Sequence, residues 1–428
     1  MNRISPVPLS YSQSTIPAEY RKTILPNGLR IVTEEVASVR SVSLGLWIDV
    51  GSRDEDVHNN GISHFIEHMV FKGTTHYTLQ AIARSLESVG GYLNAFTSKE
   101  HTCFYGRSLD LHLPRAVNVL SDLVCNPLFD KKEIEKEKLV VLEELKNLED
   151  TPDELIHDYF DRKLYFNHPL GLPVIGQAAN IEAFTRDSLL QWTRRHYAPE
   201  NMTVAAAGNL KHDTVVELVR KNFEGASDRK SSRRPARRPR FRHPTKEVFE
   251  RPIQQAHVCM GTLGCSVRAR ERYAIMVMNA LLGDGMSSRL FQVLRERHGL
   301  AYTVYSLVNT MSDTGNFAVY IATDEKKIDR SIGLISKEFQ KLRSTPVGAA
   351  ELKRTKAQLV GSIMLNLESM SSRMMRLGSG ELYYGENIPL EEVVRRIDAV
   401  RAEDVLGASN LILQPDNFTT VIFTPNRS

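Results

Sequence analysis

SVSLGLWIDVG, residues 41 to 51, alternates apolar and small residues over the length of a β-strand, and QQAHVCMGTLG, residues 254 to 264, resembles it in the other half of the chain. The neighbours repeat in the same order. Before the first copy, KTILPNGLRIVTEE (22–35) reads as two short strands around a Pro-Asn-Gly turn. After it come helical patterns at Ile62 to Phe71 and Leu79 to Val89, the second ended by Gly90 and Gly91. YLNAFTSKEHTCFYGRS (92–108) then returns to strand character, and a helix follows at Leu113 to Val124. After the second copy, 271–296 supplies helices, 299–323 a strand pair and 328–342 another helix. A duplication follows, with halves at 20–224 and 245–428, each a mixed α/β layer.

Between the halves, GASDRKSSRRPARRPRFRHP (225–244) holds almost nothing to bury and reads as a solvated linker. Arg229 to Arg242 carries eight basic residues and no acid; without them the net charge of +4 becomes −4, so the globular parts are mildly acidic. With only Phe241 as an interleaved aromatic, a nucleic-acid arm is not the expected use of this run. At 428 residues the chain is long enough for two to four domains with sizeable cores.

Cys103, Cys125, Cys259 and Cys265 form no CxxC pair, which argues against a zinc ribbon or a disulfide framework and for reduced, mostly buried thiols. No run of about 18 uncharged apolar residues is present, and the N-terminus lacks the apolar core of a secretory signal. The expectation is a cytoplasmic protein with no membrane contact. A mitochondrial matrix location would need a transit peptide; no acid precedes Glu19, but a single arginine and several prolines make a poor amphipathic helix.

Chemistry concentrates in GISHFIEHMVFKGT, Gly61 to Thr74. On a helix, His64 and His68 at i and i+4 present their imidazoles to one point, as a two-histidine zinc helix requires. Glu67 projects close to that face and can act as the base for a water whose pKa the metal lowers toward roughly 7. Ile66, Met69, Val70 and Phe71 are left to anchor the helix. A half-buried helix whose histidines bond only backbone or water would carry the same letters, so a distant third ligand has to decide.

The candidate is in EKEKLVVLEELKNLED, Glu135 to Asp150, a strong helix former with an apolar stripe of Val140, Val141, Leu145 and Leu148. Glu144 lies within that stripe and is expected to face the core, where a carboxylate must be paired or bound to a cation. Taken alone, it also reads as a solvated glutamate on a charged helix. Glu137 lies two turns back on the same face, whereas Glu143 points about 100° away.

These stretches resemble the pitrilysin (insulinase) family of zinc peptidases, whose inverted motif is H-x-x-E-H. The similarity spans nearly the whole chain and is strongest to bacterial processing-peptidase-like proteins and the catalytic subunit of mitochondrial processing peptidase. It implies that His64, His68 and Glu144 bind one zinc ion per chain, that Glu67 is the general base, and that Glu137 supports the site from just outside. It further implies that Asn94, Ala95, Phe96 and Thr97 form an edge strand to which substrate is added through main-chain hydrogen bonds. In LRERHGLAY, Arg295 would hold the substrate backbone and Tyr302 the carbonyl oxyanion. Without the resemblance, Arg295 reads as a surface ion-pair partner and Tyr302 as a half-buried strand aromatic. The implied fold is α+β, two duplicated α/β domains forming a clamshell around a cleft.

The implied function is hydrolysis of peptide bonds in extended, unfolded peptides, by a chain associated with itself or with a related chain. The other reading within the family is a catalytically silent structural or partner subunit. Such relatives usually lose zinc ligands or the base, and all four residues are present here.

Overall fold

The computed structural model describes residues 18–223, 239 and 245–426; the expected linker lies outside these apart from residue 239. In the first half, strands β1 (Glu19–Ile24), β2 (Arg30–Glu35) and β3 (Ser41–Ile48) lead into α1 (Ile62–Val70) and α2 (Leu79–Glu87). Then follow β4 (Tyr92–Thr97), β5 (Thr102–Leu109), α3 (Leu113–Cys125), α4 (Lys131–Glu149), α5 (Pro152–Leu164), α6 (Ala178–Ala183), α7 (Arg186–His196), β6 (Met202–Gly208) and α8 (His212–Phe223). The second half runs β7 (Lys246–Arg251), β8 (Ala256–Leu263), α9 (Arg272–Gly283), β9 (Ala301–Thr310), β10 (Gly315–Thr323) and α10 (Ile328–Ser344). It ends with α11 (Ala349–Asn366), α12 (Met370–Tyr384), α13 (Leu390–Asp398), α14 (Ala402–Ile412) and β11 (Thr419–Pro425).

One sheet has the order β1-β2-β6-β3-β5-β4 and the other β7-β11-β8-β10-β9. Apart from β1 the two are the same arrangement. β2 runs parallel to β6 as β7 does to β11, and every other neighbouring pair is antiparallel. The strands that open the repeated stretches, β3 and β8, are equivalent interior strands, and β4 and β9 are equivalent free edges.

β3 is buried along nearly its whole length and so is β8, which requires cover on both faces of each sheet. One face is covered by helices of the same half, as α3 packs on β3 and β5 and α9 on β9. The other face is covered from across the molecule. α12 of the second half lies over β2, β3 and β6, where Met374 and Leu377 join Val32, Trp47, Cys103, Ala205 and Ala207. Reciprocally, α5 of the first half lies over β8 and β11, packing Leu155, Ile156, Phe160 and Leu164 against Cys259, Ala318, Tyr320, Val421 and Phe423. The close approach uses glycine: a Cβ on Gly378 of α12 would sit 2.1 Å from Trp47 Nε1, and one on Gly261 of β8 would sit 2.8 Å from Phe160 Cζ. The two sheets therefore share helices rather than merely touching.

A buried polar knot also joins the halves. Arg53 bonds Glu100 Oε1 at 2.6 Å and Asp313 Oδ2 at 2.8 Å, while the amide of Ser312, in the β9–β10 turn, donates to Glu100 Oε2 at 2.9 Å. Cys103, Cys259 and Cys265 are buried thiols and Cys125 is exposed; none is in a disulfide. Among the described residues, no helix is long and apolar enough to cross a membrane.

Candidate metal centre and active site

α1 is held at its start by a carboxylate from an irregular loop. The buried Glu55 accepts from the amides of Gly61 (2.7 Å) and Ser63 (2.9 Å) and from Asn60 Nδ2 (2.9 Å). These donors favour its charged form, but burial dominates and pushes its pKa up to about 7. Gly61 caps the helix at φ 98°, and a Cβ there would meet Gly176 Cα at 2.7 Å, so both the backbone angle and the space call for glycine. Ile62, Phe65, Ile66, Met69 and Val70 go into the core, Phe71 packs against it, and His64, Glu67 and His68 are left on the remaining face.

That face meets α4. His64 Nε2 lies 3.7 Å from Glu144 Oε1, and His68 Nε2 lies 3.5 Å from Glu144 Oε2. One donor atom from each of the three falls within 4.8 Å of the other two. Two imidazole nitrogens and a carboxylate oxygen are the donor set of a three-ligand metal centre with one position left open. His64 is kept neutral, its pKa pushed down to about 3 by burial and then by neighbouring His68, so it retains a lone pair for a metal. For His68, burial acts downward, but the Glu137 hydrogen bond and the charges of Glu144 and Glu67 outweigh it and raise the pKa.

Glu137 accepts at 2.8 Å from His68 Nδ1, directing Nε2 of that ring toward Glu144, and its other oxygen pairs with Lys72 Nζ at 2.6 Å. Burial would raise Glu137, yet these two partners hold it below the usual carboxylate range. The expected stripe on α4 is corrected here. Val140 is exposed, whereas Val141 is buried with Ile134 and Glu137, and Leu145 and Leu148 pack against the core as expected. Glu144 does not face the core: its side chain is 46 % exposed against 4 % for Glu137, so the carboxylate that needs a buried partner is Glu137.

Glu67 lies beside the cluster. Burial raises its pKa, while the Thr97 hydroxyl, donating to Oε2 at 2.6 Å, and the charge of His68 restrain the shift. A carboxyl with its pKa pushed upward is suited to accepting and returning a proton. Thr97 ends β4, the free edge, so strand and base are physically connected. The Ala95 amide donates to Asn94 Oδ1 at 2.8 Å, a local bond of the kind an unclaimed edge amide makes. A pocket of about 440 Å³ opens here, lined by His64, Glu67, Glu144, β4 residues Ala95 to Thr97, and two further carboxylates, Glu154 and Asp158.

Arg295 and Tyr302 pack on each other. The Arg295 guanidinium lies 4.8 Å from the Tyr302 ring centroid and donates to the Tyr302 carbonyl at 3.0 Å, and Tyr302 is 73 % exposed. The structure does not bring this pair into contact with His64, Glu67 or Glu144. Glu55, Lys72, Glu154, Asp158 and the Thr97 hydroxyl are site features that the letters did not point to.

Residues 30–178 match the family model described as insulinase (peptidase family M16), and residues 183–359 match that of the peptidase M16 inactive domain. A protein of Bacillus subtilis named as an uncharacterized zinc protease is 39 % identical over 94 % of this chain and 97 % of its own length. One of Mycobacterium tuberculosis with the same description is 40 % identical over 92 % and 90 %. Among solved structures, a protease from Helicobacter pylori superimposes with a TM-score of 0.87 at 22 % identity, covering 95 % of this chain and all of the other. A Pseudomonas fluorescens structure described as a peptidase M16 inactive domain gives 0.88 at 22 %, covering 96 % and 99 %. With relatives this similar over nearly its full length, and with the HxxEH helix and its distant carboxylate built into the first half, the chain belongs to the insulinase, or M16, family of peptidases.

Proposed function

We propose that the chain is a zinc endopeptidase that takes an extended, unfolded peptide as an added strand along β4 and hydrolyses it beside Glu67. The observation carrying this reading is the convergence of His64, His68 and Glu144, with Glu67 held next to them by the residue that ends the free edge strand. His64, His68 and Glu144 would hold the metal, and Glu137 and Lys72 would keep His68 oriented. Bound there, zinc supplies a Lewis acid for the scissile carbonyl and lowers the pKa of water. Glu67 takes the proton of the attacking water and returns it to the departing amine. The open edge of β4 pairs only with extended backbone, so folded proteins are poor substrates. The carboxylates of Glu154 and Asp158 favour a basic side chain near the scissile bond.

The direct test is chelation. A chelator-stripped chain is expected to stop cleaving an unstructured peptide carrying basic residues and to recover with one equivalent of zinc; unchanged cleavage after stripping rejects the reading. Glu137→Gln removes the charge behind His68, and zinc affinity is expected to fall about 10- to 100-fold, read by competition with a chromogenic chelator. Tyr302 is proposed to reach the substrate oxyanion in the complex. Tyr302→Phe is then expected to lower kcat about a hundredfold with little change in KM, and equal turnover would remove that role.

A further inference from the structure

Three pockets adjoin one another along the cleft. The pocket at the candidate metal centre shares Phe96 with a second, of about 610 Å³, walled by Trp47, Tyr92, Tyr105 and Met375. The second shares Arg376 and Ser379 with a third, of about 520 Å³, in the second half of the chain. The third is the duplicate of the first. It is lined from α9, edge strand β9 and α11, as the first is lined from α1, edge strand β4 and α4. In each case the helix that crosses to the other sheet, α12 or α5, adds further residues.

The duplicate has changed sign. The first pocket has Glu67, Glu144, Glu154 and Asp158; the third has Arg272 and Arg376, with Asp284 as its one acid. Arg272 donates to the Val267 carbonyl at 2.6 Å and the Tyr273 hydroxyl at 2.8 Å, and it lies 4.6 Å and 5.0 Å from the ring centroids of Tyr273 and Tyr384. Arg376 donates to the carbonyl of Ile388. Among the described residues, neither guanidinium has a carboxylate at ion-pair distance; the nearby Glu34 is taken by Arg373. Burial lowers the pKa of Arg376 and outweighs the opposing charges of Glu34 and Glu391, neither of which reaches it as an ion pair. A cavity lined by two guanidiniums, Arg272 lying against tyrosine rings and Arg376 buried, matches a carboxylate.

We propose that this third pocket is an exosite for a carboxylate of the substrate peptide, either an acidic side chain or the chain terminus, while the scissile bond lies at the candidate metal centre. It rests on the peptidase reading, and it makes the cleft charge-graded: acidic at the reacting end, aromatic between, and basic at the far end.

The test uses the full chain carrying Glu67→Gln, so that binding is read without cleavage by fluorescence anisotropy. The probes are labelled unstructured peptides in which a single glutamate is moved stepwise away from a basic residue, and a matching set ending at each position as free acid or amide. At one spacing, Glu→Gln or amidation is expected to weaken binding about tenfold, as loss of a charge-assisted bond does, and the same change in the Arg376→Gln background to matter less than twofold. Whichever set responds names the side chain or the terminus as the source. A loss equal at every spacing, or equal in both backgrounds, overturns the exosite.

Because Arg376 also holds a backbone carbonyl, a measurement without that substitution is added. A benzophenone amino acid beside the responding carboxylate must cross-link to the segment from Tyr383 to Asn387, and cross-links only elsewhere overturn the proposal. Peptides that bind with this signature but are never cut by the unsubstituted chain would remove the peptidase reading alone. A chain that binds none of them removes both.

Discussion

Glu67→Gln is expected to lower kcat on an unstructured peptide about a thousandfold or more while the chain keeps one zinc. The size follows from the role: a positioned general base contributes about 10²- to 10⁴-fold, and this residue is asked to handle both proton transfers of the reaction. The substitution is conservative where it should be. The glutamine carbonyl can still accept from Thr97 Oγ1, which now bonds Oε2 at 2.6 Å, and His64, His68 and Glu144 are untouched, so metal content should not move. Zinc by elemental analysis and single-turnover cleavage separate the two effects. Turnover within tenfold of the parent at full metal loading would mean that the proton is taken elsewhere.

The largest stability loss is expected from Arg53→Ala, about 3–5 kcal/mol by urea denaturation. Arg53 and Glu100 have side chains 3 % and 1 % exposed, and Asp313, 17 % exposed, completes the knot between the halves. Removing the guanidinium leaves two carboxylates facing each other with the cation gone. Breaking a buried pair from one side costs far more than the pair contributes, because Glu100 loses its neutralising cation while staying out of water, even though Ser312 still donates to it. Since α5 and α12 each cover the other half's sheet, the loss should appear as a shift of one cooperative transition. A change below about 1 kcal/mol would show that water reaches Glu100 and that the junction is less dry than its packing implies.

Much of this architecture is legible in the letters where a single period governs a segment. The strands around the Pro-Asn-Gly turn, the repeated β3 and β8 stretches and the HxxEH helix all declare themselves this way. Segments whose state depends on distant partners do not. β6, MTVAAAG, has three alanines with little intrinsic preference for a strand; it is one because it runs between β2 and β3, about 160 residues earlier. α5 shows an apolar stripe, but no local pattern says that the stripe belongs on the other half's sheet. Helical spacing correctly groups Glu137 with Glu144, yet it cannot rank their burial, which is set by how α4 tilts against α1 and the core. Glu55 is opaque for a further reason: it sits in irregular chain, and its value lies in meeting backbone amides that any residue possesses.

The exchange of α12 and α5 has a consequence for how the chain is made. The last strand of the first sheet ends at Gly208, but the helix that covers its second face begins at Met370. At synthesis rates of about 5–20 residues per second, the ribosome needs roughly ten to thirty seconds to supply it. Throughout that interval Trp47, Val32 and Ala205 are without the helix that covers them. The first sheet is therefore covered on both faces only when the far end of its own polypeptide arrives.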